Sequence, residues 1–208
     1  MTLATAQTGS VQTIASLDGL SCNQQIQPAG NTVCKPSATL PAANPGTLTT
    51  RTSSTQGVFT FTAAANIQGT ETIALFWNGG YVYDATINSF TGSAGAVLTV
   101  TFTVPGGQTA LPAATTAGQI ATAQDVTNSV SIVGADVQQL LVTSTQPGLC
   151  ELLDATPAQQ RLSVITVAGG FDSWAGGGSQ PWTDTVVKAR MYNNSTTAAV
   201  MTVAALLA

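Results

Sequence analysis

Apolar and polar positions alternate along much of this chain. Between residues 98 and 104, Leu98, Val100, Phe102 and Val104 take every second place, and Thr99, Thr101 and Thr103 lie between them. That period of two is the mark of a strand with one apolar and one polar face, and Pro105-Gly106-Gly107 ends it. The same pattern predicts strands over 58–62, 130–133, 139–145, 161–168, 184–193 and 198–206. In 184–193, Val187, Ala189 and Met191 share one face while Lys188 and Arg190 point to the other. Asn78-Gly79-Gly80, between "ETIALFW" and "YVYDATI", predicts a hairpin, because these residues tolerate positive φ. "NNSTT" at 193–197 reads as the turn before the last strand. One departure is expected, a helical turn within 155–162 with Thr156 as N-cap and Pro157 at the first helical position.

The first 56 residues read differently. Pro28, Pro36, Pro41 and Pro45 interrupt any long element, and "TLTTRTSSTQG" is a polar connector. Residues 1–56 are therefore expected to form an extended Pro- and Thr-rich arm, lying on a neighbour or on the chain's own domain, and residues 57–208 a β domain. About eight short strands at irregular spacing, with Gly and Pro turns, argue for an all-β protein, an antiparallel β-sandwich or jelly roll, and against an evenly spaced barrel.

Composition sharpens this picture. Only 7% of the 208 residues are charged, against about 25% in an average soluble domain. The surface must be tiled largely by Thr, Ser, Asn, Gln, Ala and Gly, and the 34 threonines favour strands. Disorder is not expected, since it pairs low hydrophobicity with high charge. No run of about 20 apolar residues predicts a membrane span. The five basic residues, Lys35, Arg51, Arg161, Lys188 and Arg190, are scattered, which argues against binding a nucleic-acid backbone. So low a charge density removes much of the repulsion between crowded copies.

Candidate chemistry is sparse. There is no histidine, so the usual means of activating a Ser or Cys nucleophile are missing, and no phosphate-loop or Gly-x-Ser-x-Gly motif occurs. Glu151/Asp154 and Asp172/Asp184 are candidate carboxylate pairs, and a glycosidase would need such acids to converge in space. No spacing suggests zinc or calcium ligands, and no metal or cofactor is expected. Of three cysteines, Cys22 and Cys34 could close a loop of about 13 residues as a disulfide, leaving Cys150 unpaired; the alternative is three reduced thiols. The stretch "GGFDSWAGGGSQPW" gathers Phe171, Asp172, Trp174 and Trp182. Its rings either plug the end of the sandwich or a subunit seam, where aromatics are enriched, or form with Asp172 a glycan-contacting loop.

A His-free, Thr/Ala/Gly-rich β chain with a Pro-rich arm, and with strands such as "VLTVTFTV" and "VVKARMYNNSTTAAVMTVAAL", resembles virion structural proteins of tailed bacteriophages, most of all capsid cement or decoration proteins. The resemblance is one of texture over the whole chain and carries no functional residues. It implies a non-enzymatic stabiliser, often trimeric, seated on the major capsid protein or other virion proteins. The N-terminus lacks a basic segment followed by an apolar one, so synthesis in the host cytoplasm without a signal peptide is expected. Two other roles fit the same texture: a glycan-binding adhesin or tail-associated module using the Trp174/Trp182 loop, and a tail-tube or minor capsid subunit.

Overall fold

A computed structural model describes residues 12–15, 21–26, 32–34, 37–62, 65, 67–93, 98–175 and 180–207, the first three segments and 128–131 by their backbone alone. Regular structure among them is all β apart from one 3-10 turn at Gly134–Asp136. Strands β1 (Gln12–Ala15), β2 (Ser21–Ile26), β3 (Thr32–Cys34) and β4 (Ser37–Leu40) come first. Strands β5 (Asn44–Arg51), β6 (Gln56–Phe61), β7 (Thr72–Trp77), β8 (Gly80–Thr91), β9 (Thr99–Thr103) and β10 (Thr116–Thr122) then close an antiparallel barrel in the order β10-β5-β6-β9-β8-β7. The rest of the chain supplies β11 (Gln124–Val133), β12 (Val137–Ser144), β13 (Gly148–Leu153), β14 (Gln159–Ile165), β15 (Phe171–Ala175), β16 (Thr185–Asn193) and β17 (Ala199–Leu207). These form a four-stranded sheet, β11-β16-β13-β14, and a seven-stranded sheet, β1-β2-β3-β17-β12-β15, in which β4 also pairs with β17.

The two sheets share one core, with Leu40, Val142, Cys150, Met191 and Val203 among its members, and so make a sandwich. The barrel has its own core around Leu48, Phe59, Ile73, Val82, Phe102 and Ile120. A third, smaller cluster joins the two bodies: Phe76 and Ala74 on the barrel's outside meet Leu149 and Tyr192 on the outer face of the four-stranded sheet.

The all-β class and the antiparallel sheets agree with the sequence pattern. Leu98, Val100 and Phe102 are fully buried and Val104 nearly so, and the hairpin turns at Asn78-Gly79 with Trp77 opposite Gly80 and Gly79 at φ 100°. Three features differ. First, part of the expected arm is structural: β4 pairs with β17 and sends Leu40 into the sandwich core, and β5 is a barrel stave. Pro45 does not break β5 because it sits one residue from the start of the strand, where a lost N–H is tolerated; its carbonyl still accepts from Thr62 N.

Second, residues 44–122 form a closed barrel. Closure depends on β10, "TAGQIAT", whose pattern hardly alternates, and on the paired glycines Gly46 and Gly118. A Cβ on Gly118 would lie 2.5 Å from the Phe76 carbonyl oxygen, and one on Gly46 would run into the Phe59 ring. Register breaks in the β5–β6, β7–β8 and β8–β9 pairs add the coiling that closure requires. Third, no helical turn forms at 155–162. Asp154 Oδ1 accepts from Thr156 N at 2.7 Å and Ala158 N at 2.9 Å, and Oδ2 from Gln160 Nε2 at 2.9 Å. The chain is held in an Asx-type turn that leads into β14. A smaller shift occurs in β16, where Val186 takes the buried place expected for Val187.

Candidate functional site

The stretch that drew attention in the sequence is not a single loop. Phe171 to Ala175 form β15, the edge strand paired with β12. Strand alternation therefore separates the side chains: Phe171 stands exposed on the outside, while Asp172 and Trp174 turn inward. Trp174 packs on the sandwich core. Asp172 Oδ2 accepts from Arg161 Nη2 at 3.0 Å and from Ser163 Oγ at 2.8 Å, both on β14. It thereby ties the edge of one sheet to the edge of the other. Trp182 is only 3% exposed, and its indole N–H donates to the Ile132 carbonyl at 3.2 Å. Of the four, only Phe171 presents a broad exposed surface; Trp182 is a core plug and offers no ring to a glycan.

The remaining sequence candidates are also placed. Cys150 is a buried free thiol, and burial in this apolar core pushes its pKa far up. Cys22 lies opposite Ile14 and Cys34 opposite Ala205; their side chains, and so the candidate disulfide, lie outside the described residues. Glu151 and Asp154 do not converge, since Asp154 holds its own turn. Asp184 Oδ1 accepts from the N–H of Thr185 at 2.7 Å, and its own N–H donates to Gln160 Oε1 at 3.3 Å.

Convergence of charge occurs elsewhere, in the seam between barrel and sandwich. Along β8, Ile73 pairs with Ala85 but Leu75 with Val82, so Tyr83 and Asp84 together oppose Ala74 in a bulge. Asp84 adopts φ 54° there, a left-handed conformation that Asp tolerates better than most residues. The bulge turns its carboxylate toward the sandwich. Asp84 Oδ1 accepts from Arg190 Nη1 at 2.7 Å and from Tyr192 Oη at 2.8 Å. Arg190 also grips Asp125 through Nε at 2.7 Å and Nη2 at 3.0 Å, and Lys188 Nζ reaches the same carboxylate at 2.7 Å.

Glu151, cross-strand from Arg190, completes this group. It is wholly buried, and its ionised carboxylate would find no hydrogen-bond donor at either oxygen. Burial first, and then the neighbouring Asp84 carboxylate, push its pKa up to about 8. Protonation removes the buried charge and its repulsion from Asp84. Burial also opposes ionisation of Asp125, but hydrogen bonds from Arg190 and Lys188 outweigh it and hold that carboxyl below its ordinary range. Tyr192 is raised by burial and by the Asp84 charge, and Tyr83 by burial and by Glu151. The cluster is an electrostatic clasp between the two bodies, buried at Glu151 and Tyr192 and open to solvent at Asp125. The sequence did contain a signal for it: one Glu inside the apolar run "GLCELL", and two basic residues on the polar face of "TVVKARMYN".

Farther along the same seam the character changes. Two adjoining cavities of about 300 Å³ and 470 Å³ share Phe76, Trp77 and Asn194 as walls. The smaller runs past Gly80 and Tyr81 toward Leu149 and Thr166, and the larger past Pro45 and Gln119 toward Thr196. No charged residue lines either one. Phe76, Tyr81 and Tyr83 form a row of rings with centroids 6.5 Å and 6.3 Å apart. Gln119 Nε2 donates to Asn194 Oδ1 at 3.4 Å, while Gln119 Oε1 is buried without a partner. Among the described residues no group of three or more acidic or cysteine side chains is arranged to hold a metal ion. Set against protein-family models, curated proteins and solved structures, the chain matches none.

Proposed function

We propose that this chain is a non-enzymatic structural protein of a virion, of the capsid cement or decoration type, acting through contacts between its own copies, in trimers by preference, and with the major capsid protein. The observation that supports this most is the outer face of the seven-stranded sheet. Strand register lays out its rows: Thr39 beside Val200; Ser37, Thr202, Thr143 and Phe171; Ala204, Leu141 and Ser173; Leu206, Gln139 and Ala175. None of these is charged, yet Phe171 is 67% exposed, Val200 43% and Leu141 39%. Covering such a face strips no ion of its water, and removes apolar area worth about 25 cal/mol per Å².

The edge of this sheet adds a second means of association. Among the described residues β15 pairs on one side only, with β12, so its other edge offers backbone groups to a neighbouring strand. Electron microscopy of the protein alone and mixed with empty shells tests the reading. Rings or trimers that cap a shell lattice are expected. A particle that stays monomeric at every concentration and binds no lattice would overturn it, and tubes would point to the tail-tube alternative.

A further inference from the structure

We propose that the uncharged cleft at the barrel–sandwich seam is a binding site for a neutral saccharide. This goes beyond the assembly reading and uses a different surface. The cleft meets three chemical demands of such a ligand. Pyranose rings need a flat apolar wall, and the half-buried Trp77 and Tyr81 stand on the rim of the smaller cavity. Of the two, Tyr81 is the outward wall: Trp77 packs on the barrel core, and a Cβ on Gly80 would come 2.6 Å from its Cζ2, so the hairpin backbone covers part of that indole.

Sugar hydroxyls both donate and accept, which side-chain amides and hydroxyls match and isolated charges do not. Asn194, shared by both cavities, has its oxygen engaged by Gln119, leaving its NH₂ as the donor toward the cleft. Gln119 Oε1 is an orphaned acceptor at the wall, which a small rotation of the amide would offer to a ligand hydroxyl. Thr166 and Thr196 add hydroxyls on the sandwich side. Each cavity falls within, or at the lower end of, the range of about 300–1,000 Å³ typical of small-molecule sites. The third demand concerns charge. With no Lys or Arg on the walls, an acidic sugar would enter without a counter-charge, so the site selects neutral glycans.

Full-length protein should be screened against cello-, malto- and chito-oligosaccharides, with sialyllactose and a proline-rich peptide as contrasts, and any hit titrated by calorimetry. Saturable binding to at least one neutral series is expected, with none to sialyllactose. Tyr81→Ala and Asn194→Ala should each weaken it at least about tenfold at unchanged circular dichroism, while Trp174→Ala leaves it intact. The proposal is overturned if no neutral series binds at millimolar concentration, if sialyllactose or the peptide binds more tightly, or if both variants bind as the parent does. Lattice binding is scored separately, so either reading can fail without the other.

Discussion

At the scale of single residues, Glu151 has the largest consequence. Its carboxyl titrates near 4.5 in an unfolded chain and at about 8 in the fold. The folded state thus holds the proton more tightly, and its advantage is complete below pH 4.5, falls as pH rises, and is lost above about 8. The groups facing it are Asp84 and Tyr83 from the barrel and Asp125, Lys188, Arg190 and Tyr192 from the sandwich, and none supplies a donor to the ionised form. A urea midpoint that declines between pH 5 and 8.5 is expected, with Glu151→Gln flat over this window and more stable at its upper end by on the order of a few kcal/mol. Equal slopes for parent and variant would contradict the assignment. Asp125 acts in the opposite direction and at a different pH: its depressed pKa lends stability above its unfolded value near 3.8, lost only in acid. Trp182 is simpler. Truncation to Ala should cost about 3–5 kcal/mol by opening a cavity and orphaning the Ile132 carbonyl, read as a lower thermal midpoint.

Elements behave here according to what lies at their edges. The threonines that make the strands conspicuous also knit them together: Thr49, Thr60 and Thr99 place hydroxyls 3.2 Å and 3.3 Å apart across β5, β6 and β9, a cross-strand ladder on the barrel's outside. Barrel closure rests on a narrower margin at β10. Gly118→Val should drive a side chain into the β7 backbone and lower stability by more than about 2 kcal/mol, with amide exchange rising first in β5, β7 and β10. In the sandwich, Asp172 latches β15 to β14. Asp172→Ala leaves Arg161, whose Nε already lacks a partner, with no acid beside it, so faster exchange in β15 and a loss of about 1–2 kcal/mol are expected.

For the whole molecule, the distribution of the few charges matters more than their number. Four of the ionisable side chains that form ion pairs, Asp84, Asp125, Lys188 and Arg190, are spent on the seam, and the described outward-facing side chains of β4, β12, β15 and β17 are uncharged. If that face is the contact surface, Leu141→Lys combined with Val200→Lys should abolish self-association and shell binding while circular dichroism and thermal midpoint change little. Retained assembly would move the contact elsewhere. The same double substitution should not affect the seam cleft.

The chain's own pattern was sufficient for the class of the fold and for individual strands. Leu98 to Val104, the Asn78-Gly79 hairpin and the last strand follow from alternation and turn chemistry, which are local forces acting within a few residues. The aromatic residues Phe171, Trp174 and Trp182 stood out by type, but their fates depended on which face of β15, or which layer of core, received them. Tertiary structure alone decided that β5 to β10 close into a barrel, because closure depends on glycine pairs, bulges and a weakly patterned strand finding partners far away in sequence. It also decided where the charged clasp and the neutral cleft lie. Asp84, Glu151 and Arg190, like Trp77 and Asn194, are separated by tens of residues, and only the docking of barrel on sandwich gives them a common environment. Local sequence carries the period of a strand, whereas burial and electrostatic neighbours belong to the packed whole.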